Sequence, residues 1–274
     1  MPTYASGISG VIPIKNNFAL DYCAHLGVQS LLPVCDEVIV VDGGSTDNTL
    51  EFFSDWALTE PKIRVIHYEI PRLPTPEEIE KDDLTRPPGN PVMLIPWINA
   101  GRLAAKYDWQ MHLDGDEVLD PCSYSWMNYY KMDGNPVYIR RLNLWKSPQW
   151  EAPHGTVCGE NVVRFAPTRF EMHSDEPCPE GEPEVRRNAS QADGPIIVHL
   201  GFLRKQENFL KKSRIMQGWL HNTYDPRLRE AEKTGASWVD LSPFPEDRPL
   251  IPCTRKFAPY VNDWLVQRGY SLNQ

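Results

Sequence analysis

The chain has 274 residues, 41% hydrophobic and 24% charged. That is enough for one large domain or two small ones with a buried core, and it excludes wholesale disorder. No stretch approaches the roughly 20 apolar residues of a membrane span, and the start, MPTYASGISGVIPIKNN, lacks the basic opening and apolar run of a secretory signal; a soluble cytoplasmic protein is expected. With 28 Lys and Arg against 37 Asp and Glu, a net charge of −9, there is no strong nucleic-acid signal, because a broad grip on phosphates needs clustered positive charge.

The first periodic segment, Ile8 to Ile14, predicts a short buried strand. Asn16 or Asn17 then caps a helix over Phe18 to Leu32, which Pro33 ends. Glu37 to Val41 reads EVIVV, a β-branched run expected of a parallel strand buried on both faces. The turn-formers Asp42 to Asp47 follow, and Thr46 or Asp47 caps a helix running to about Trp56. Ile63 to His67 is a third strand. This strand–helix alternation predicts an α/β fold with a mostly parallel central sheet flanked by helices. The segment 71–91 is rich in proline and charge, and a loop of that length is expected to be functional or mobile.

A helix over about Ile95 to Lys106 and a strand over Trp109 to Leu113 come next, ending in Asp114-Gly115-Asp116-Glu117. Further strands are expected at Val137 to Leu144, Val162 to Phe165 and Ile196 to Leu200, and an amphipathic helix from about Lys205 to His221. The acidic, Pro-rich segment 175–195 is a second candidate mobile loop. The chain holds 26 prolines, nearly twice the usual share of about 5%. Six cysteines are scattered, at Cys23, Cys35, Cys122, Cys158, Cys178 and Cys253; none forms a CxxC pair, and reduced thiols are expected. Asn188-Ala189-Ser190 fits a glycosylation sequon, taken as chance.

Two acidic clusters follow two hydrophobic strands. In open parallel sheets ligands bind beyond the carboxyl ends of the strands, so both clusters are expected to face one crevice. Asp42 stands beside Gly43 and Gly44, where backbone can approach a ligand, and its carboxylate can accept hydrogen bonds from a base or ribose. Asp114 and Asp116, one glycine apart, offer hard oxygen ligands for Mg²⁺ or Mn²⁺; Asp-Gly-Asp is also a common turn sequence.

These segments resemble the family 2 glycosyltransferases, which have the GT-A fold. Val41 to Thr49 reads VDGGSTDNT, similar to that family's first signature, and Asn99 stands fifteen positions before Asp114, as in its second. The first strand, GVIPIKNN, is similar to the family's start. Glu117 after the acidic pair and Arg164-Phe165 most resemble the lipopolysaccharide-core β-glucosyltransferase branch. The resemblance spans about residues 8 to 120. It departs from the family at Ile98, where Arg is common, in the long 71–91 segment, and in a third signature only echoed by Met172-His173-Ser174-Asp175-Glu176.

The resemblance implies a metal-dependent, inverting hexosyltransferase that uses a nucleotide-diphospho sugar, a UDP-sugar foremost. Pro13, Ile14, Lys15 and Asp42 would line the nucleotide pocket. Asn99 would bond the donor or hold the loops. Asp114 and Asp116 would ligate Mn²⁺ or Mg²⁺, with His199 a third ligand or a structural histidine. Asp175 or Glu176 would be the base that deprotonates the acceptor, as inversion requires. Glu117 would support the metal loop, and His154 is placed near the acceptor by nothing firmer than its loop. Arg204, Lys205, Lys211 and Lys212 read first as a solvated helix face and second as aids to the diphosphate.

Residues 1–203 are expected to form the catalytic domain, divided near 120 into nucleotide and acceptor halves. Residues 204–274 are expected to be a helical extension packed on it. The acceptor is a glycan or lipopolysaccharide by resemblance, with a modified nucleic-acid base or a protein as alternatives. A nucleotidyltransferase would need a Gly-rich basic loop after the first strand, where this chain reads PIKNN. The rival of another class is a noncatalytic module binding a nucleotide sugar or glycan, against which the intact Asp114-Gly115-Asp116 counts.

Overall fold

Ala5–Ile14 (β1) is buried from Gly7 onward, and Glu37–Asp42 (β2) is buried throughout. β-branched residues covered on both faces give this pattern. The computed structural model describes residues 4–69, 94–132, 134–153, 161–173, 176–177, 187–188, 194–220, 230–231, 233–235 and 248–272. β1 and β2 pair in parallel, Ile14 opposite Asp42, and Ile63–His67 (β3) continues the sheet with His67 opposite Asp42. Tyr107–His112 (β4) lies parallel on the other side of β1. The order β4-β1-β2-β3 therefore brings four carboxyl ends to one edge. The helices Ala24–Leu31 (α1), Thr49–Thr59 (α2) and Leu94–Ala104 (α3) alternate with these strands in the chain.

The helix expected from Phe18 starts only at Ala24. Asn16 and Asp21 adopt left-handed φ of 54° and 56°, which a right-handed helix cannot contain. Asn17 Oδ1 accepts from the Ala24 amide at 3.0 Å, satisfying one of the donors a helix start leaves open. Asp47 performs the same service twice. Its Oδ1 accepts from the Thr49 amide at 3.0 Å at the head of α2, and its Oδ2 from the amides of Phe18 and Ala19 at 3.1 and 2.9 Å. The STDNT part of the motif thus ties the loop after β1 to the start of α2.

Beyond β4 the sheet becomes mixed. Glu117–Leu119 (β5) and Tyr124–Lys131 (α4) follow the acidic turn, then Val137–Trp145 (β6), Ser147–Glu151 (β7) and Asn161–Pro167 (β8). β8 is antiparallel to both β4 and β6 and bridges the two halves. Met172–His173 (β9) and Glu176–Pro177 (β10) form a separate antiparallel pair, and Arg187–Asn188 (β11) joins β6. Ile196–His199 (β12) lies parallel to β6 and antiparallel to β5, placing His199 opposite Glu117. Gln206–Leu220 (α5), Ile251–Pro252 (β13, paired with β7) and Pro259–Gln267 (α6) complete the described elements.

One core lies around Ile12, Val40, Met111 and Phe165. A second joins Leu26, Val118, Leu142 and Val198 to Val261, Trp264 and Leu265 of α6, so the carboxyl-terminal helix shares a core with β5, β6 and β12. A third, with Val11, Val41 and Trp97, lies under α3. Gly101 permits that close approach, since a Cβ there would stand 2.4 Å from Val11 Cγ1. Among the described residues no helix is long and apolar enough to cross a membrane. Cys23, Cys35, Cys122 and Cys253 are free thiols. Cys158, Cys178, His154, Asp175, Ala189 and Ser190 lie outside the described residues, as do segment 71–91 and most of 175–195.

Candidate functional site

Asp42 is the last residue of β2 and is 1% exposed. Its Oδ2 accepts from the amides of Gly44 and Ser45 at 3.0 and 3.1 Å and stands 3.2 Å from His67 Nδ1. Gly44 makes this turn with φ of 77°, a conformation that favours glycine. The other oxygen, Oδ1, is buried with no hydrogen-bond partner among the described residues. Leaving such an acceptor dry costs about 1–3 kcal/mol. Ile14 is level with Asp42 across the β1–β2 ladder, and Lys15 Nζ donates to Gly43 O at 2.8 Å. Pro13, Ile14, Lys15, Asp42 and His67 therefore gather at one end of the sheet.

Asn99 lies on α3, where its Oδ1 accepts from Arg102 Nε at 2.9 Å. Buried Arg102 also donates to Thr168 O and to Glu171, both at 3.2 Å. This hydrogen bond makes Asn99 part of the tie between α3 and the chain that leads into β9. That chain is anchored at the amino end of β4, where Thr168 N donates to Asp108 O at 2.8 Å and Thr168 Oγ1 to Tyr107 O at 2.7 Å. The described part of the chain entering β9 thus starts from the end of β4 opposite Asp114 and Asp116. Glu176 pairs with His173 through the backbone.

The turn after β4 divides its carboxylates between two ionic groups. Glu117, fully buried, accepts from Arg164 Nε at 2.9 Å and from Arg141 at 3.1 Å, and its Oε2 accepts from the Asp114 amide at 2.9 Å. Burial alone would raise the Glu117 carboxyl, but Arg164 and Arg141 outweigh it and hold it at about 2. Asp114 is paired with the same Arg164. His112 sits beneath, 3.4 Å from Asp114, and neither ring nitrogen has a hydrogen-bond partner among the described residues. Burial, then Arg164, pushes its pKa down to about 3, so it is neutral.

Asp116 belongs to the second group. Its Oδ2 accepts from Arg204 at 2.6 Å and Lys212 at 2.7 Å, and His199 Nε2 is 3.5 Å away. Burial works against the charged form, yet Lys212, His199 and Arg204 hold this carboxyl well below the usual range, so it is ionised. His199 is lowered by burial, opposed by Asp116, and its Nδ1 has no partner among the described residues. Arg204 is 8% exposed; its Nε and second terminal nitrogen likewise have none. The Tyr22 ring lies under both cations, 4.1 Å from Arg204 Cζ and 5.1 Å from Lys212 Nζ. Lys205 and Lys211 are exposed, as a solvated face requires; Arg204 and Lys212 turn inward to Asp116 instead. The sequence signal for this was weak, because Arg204 precedes the helix by two residues and Lys212 sits nearly two turns along it.

Glycines make room for these contacts. A Cβ on Gly115 would stand 2.6 Å from Ile14 Cδ1, and one on Gly201 would stand 2.6 Å from His199 Nε2 and 2.7 Å from Asp116 Oδ2. Among the described residues no group of three His, Cys, Asp or Glu side chains is arranged to hold a metal ion. Asp116 and His199 form a pair, and Asp114 is held apart from it by Arg164.

Comparison with known proteins gives a class for part of the chain. Residues 25–72, which contain β2, the Asp42 turn and α2, match the family described as glycosyl transferase family 2. Among solved structures, the chain is similar to S. aureus TarS 1-349 in complex with UDP, at 14% identity over 76% of this chain and 64% of that one, with a TM-score of 0.43. It is also similar to glucosyl-3-phosphoglycerate synthase from Mycobacterium tuberculosis in complex with Mn²⁺, UDP and glucosyl-3-phosphoglycerate. That match has 23% identity over 51% of this chain and 45% of that one, with a TM-score of 0.31. This chain therefore spans less than two thirds of either. No curated protein sequence matches it.

Proposed function

We propose that the chain is a family 2 glycosyltransferase of the GT-A fold that moves a sugar, a hexose foremost, from a UDP-sugar to a hydroxyl acceptor with inversion. The observation that carries the proposal is Asp42. It is a buried carboxylate at the carboxyl end of a parallel strand, inside the segment that matches the family, with one oxygen lacking a donor among the described residues. An imino N–H such as that of uracil satisfies that oxygen, while the Gly44 and Ser45 amides fix the other. Lys15 and the backbone at Pro13 and Ile14 line the same end.

Asp116 and His199 fit a divalent cation as a pair of protein ligands, a carboxylate and an imidazole 3.5 Å apart with the missing Gly201 side chain leaving room between strand and turn. Mg²⁺ or Mn²⁺ keeps most of its positions for water and phosphate oxygens. Such an ion, when bound, neutralises charge developing on the departing diphosphate. Asp114 holds the turn through Arg164 rather than making a direct ligand bond. Arg204 directs the N–H groups that have no partner among the described residues at diphosphate oxygens, a charge-assisted contact. The acceptor oxygen bonds to the anomeric carbon as the bond to the diphosphate breaks on the opposite face, and its proton passes to the carboxylate of Asp175 or Glu176.

Residues 1–203 carry this chemistry, with the nucleotide on the side of residues 1–120; residues 204–274 supply Arg204, Lys212 and the helices packed behind them. A glycan acceptor is proposed, with lipopolysaccharide core the class that Glu117 and Arg164-Phe165 resemble, and a cytoplasmic location. The experiment is a panel of nucleotide sugars, with UDP binding read by calorimetry and sugar release read with and without Mn²⁺. UDP binding and Mn²⁺-dependent release of sugar from a UDP-sugar are expected. UDP binding with no turnover of any donor would leave a noncatalytic binding module. No binding of UDP would overturn the proposal.

A further inference from the structure

The Asp116 carboxylate is already occupied by two cations of the chain itself. Three carboxylates in the turn, Asp114, Asp116 and Glu117, face four cationic side chains, Arg141, Arg164, Arg204 and Lys212. Arg164 and Arg141 are committed to Asp114 and Glu117. That leaves Asp116 with both Arg204 and Lys212 and a local excess of one positive charge. Lys212 reaches it from α5, a helix 96 residues away in the chain, and its side chain remains 22% exposed. Arg204 is nearly enclosed, and its donors are only partly used among the described residues. A divalent ion bound by Asp116 and His199 would lie beside this ammonium, and like charges at such distances repel strongly away from bulk water.

We propose that Lys212 is a tethered counter-ion: it holds Asp116 in the ligand-free protein and gives the carboxylate up to a divalent cation only when a nucleoside diphosphate arrives to take its ammonium. The diphosphate reverses the charge balance. It brings at least two negative charges, which pair with Lys212 and with the unused donors of Arg204 while the ion takes Asp116 and His199. Tyr22, under both basic groups, keeps them beside the site in either arrangement. Cation and nucleotide then bind cooperatively, and by linkage each strengthens the other by the same factor. The inference rests on the nucleotide-sugar reading and adds an order of binding to it.

Calorimetry on the full chain tests this with Mn²⁺ alone, UDP alone, and Mn²⁺ with saturating UDP. In the wild-type protein UDP is expected to tighten Mn²⁺ at least about tenfold, within the usual range for coupled sites. Lys212→Met is expected to tighten Mn²⁺ alone at least about threefold, to weaken UDP alone, and to shrink the coupling. Lys212→Arg is expected to keep the coupling, which separates charge from fold. Asp116→Asn abolishes Mn²⁺ binding in both conditions if the ion sits where proposed. A smaller change in Mn²⁺ affinity for Lys212→Met, with wild-type UDP binding intact, overturns the tethered counter-ion and leaves the donor reading standing. Absence of UDP binding in the wild type overturns both.

Discussion

Asp114 and Asp116 are separated by one glycine on one turn, yet their surroundings differ. The Asp114 side includes Glu117, Arg164 and Arg141, two carboxylates and two guanidinium groups bonded to one another, and it also fixes the Asp114 amide. The Asp116 side gathers Arg204, Lys212 and His199 around one oxygen and leaves donors on Arg204 and a nitrogen on His199 without partners among the described residues. Carboxylates and guanidinium groups bonded to one another set shape, although His112 beneath them has no hydrogen-bond partner among the described residues; cations gathered on one carboxylate oxygen with donors left over cost free energy unless something completes them. The first side reads as the frame of the turn and the second as its working face, with Asp42 the matching open acceptor two strands away.

The largest expected effect tests the frame. Glu117→Gln leaves Arg164 and Arg141 buried with a lost charge partner, and stability measured by urea unfolding should fall by about 3–5 kcal/mol. The pH dependence has a definite sign. The folded Glu117 carboxyl lies at about 2, below its ordinary 4.5, so its stabilisation is complete above about 4.5 and fades as pH falls toward 2. The difference between wild type and variant should therefore narrow in acid; a gap that widens would show that the network is not what holds the turn.

Asp116→Asn tests the working face. Turnover should fall about 100-fold, or ~2.7 kcal/mol of barrier, while the loss of stability stays smaller than for Glu117→Gln. Retention of a tenth or more of the activity would remove Asp116 from the chemistry.

Two smaller effects sharpen the nucleotide end. Asp42→Ala should weaken UDP about tenfold, or ~1.4 kcal/mol, by calorimetry. Unchanged affinity would move the nucleotide elsewhere. His67→Ala should cost no more than about threefold, because the Gly44 and Ser45 amides still hold the same Asp42 oxygen. A loss as large as that of Asp42→Ala would mean that His67 touches the base itself.

Much of this was legible in the sequence. The run EVIVV predicted a doubly covered parallel strand, because the four successive apolar residues Val38 to Val41 point alternately to both faces. The turn-formers after it predicted where backbone would be exposed to a ligand, and the order of strands and helices predicted that Asp42 and the Asp114–Glu117 turn end on one edge. Local sequence also supplied the wrong start for α1: the apolar spacing from Phe18 is helical, but the left-handed Asn16 and Asp21 break a helix there. The antiparallel β8, which joins the two halves, follows from pairing partners rather than from its own residues.

Which cations each carboxylate meets was decided only by the tertiary structure. Arg164, Arg204 and Lys212 lie 47, 88 and 96 residues from the carboxylates they meet. Periodicity and capping act over a few residues and carry no information about such pairs. Only the folded sheet, by setting β8 beside β4 and β12 beside β5, gives Asp114 one guanidinium partner and gives Asp116 two cations on one oxygen.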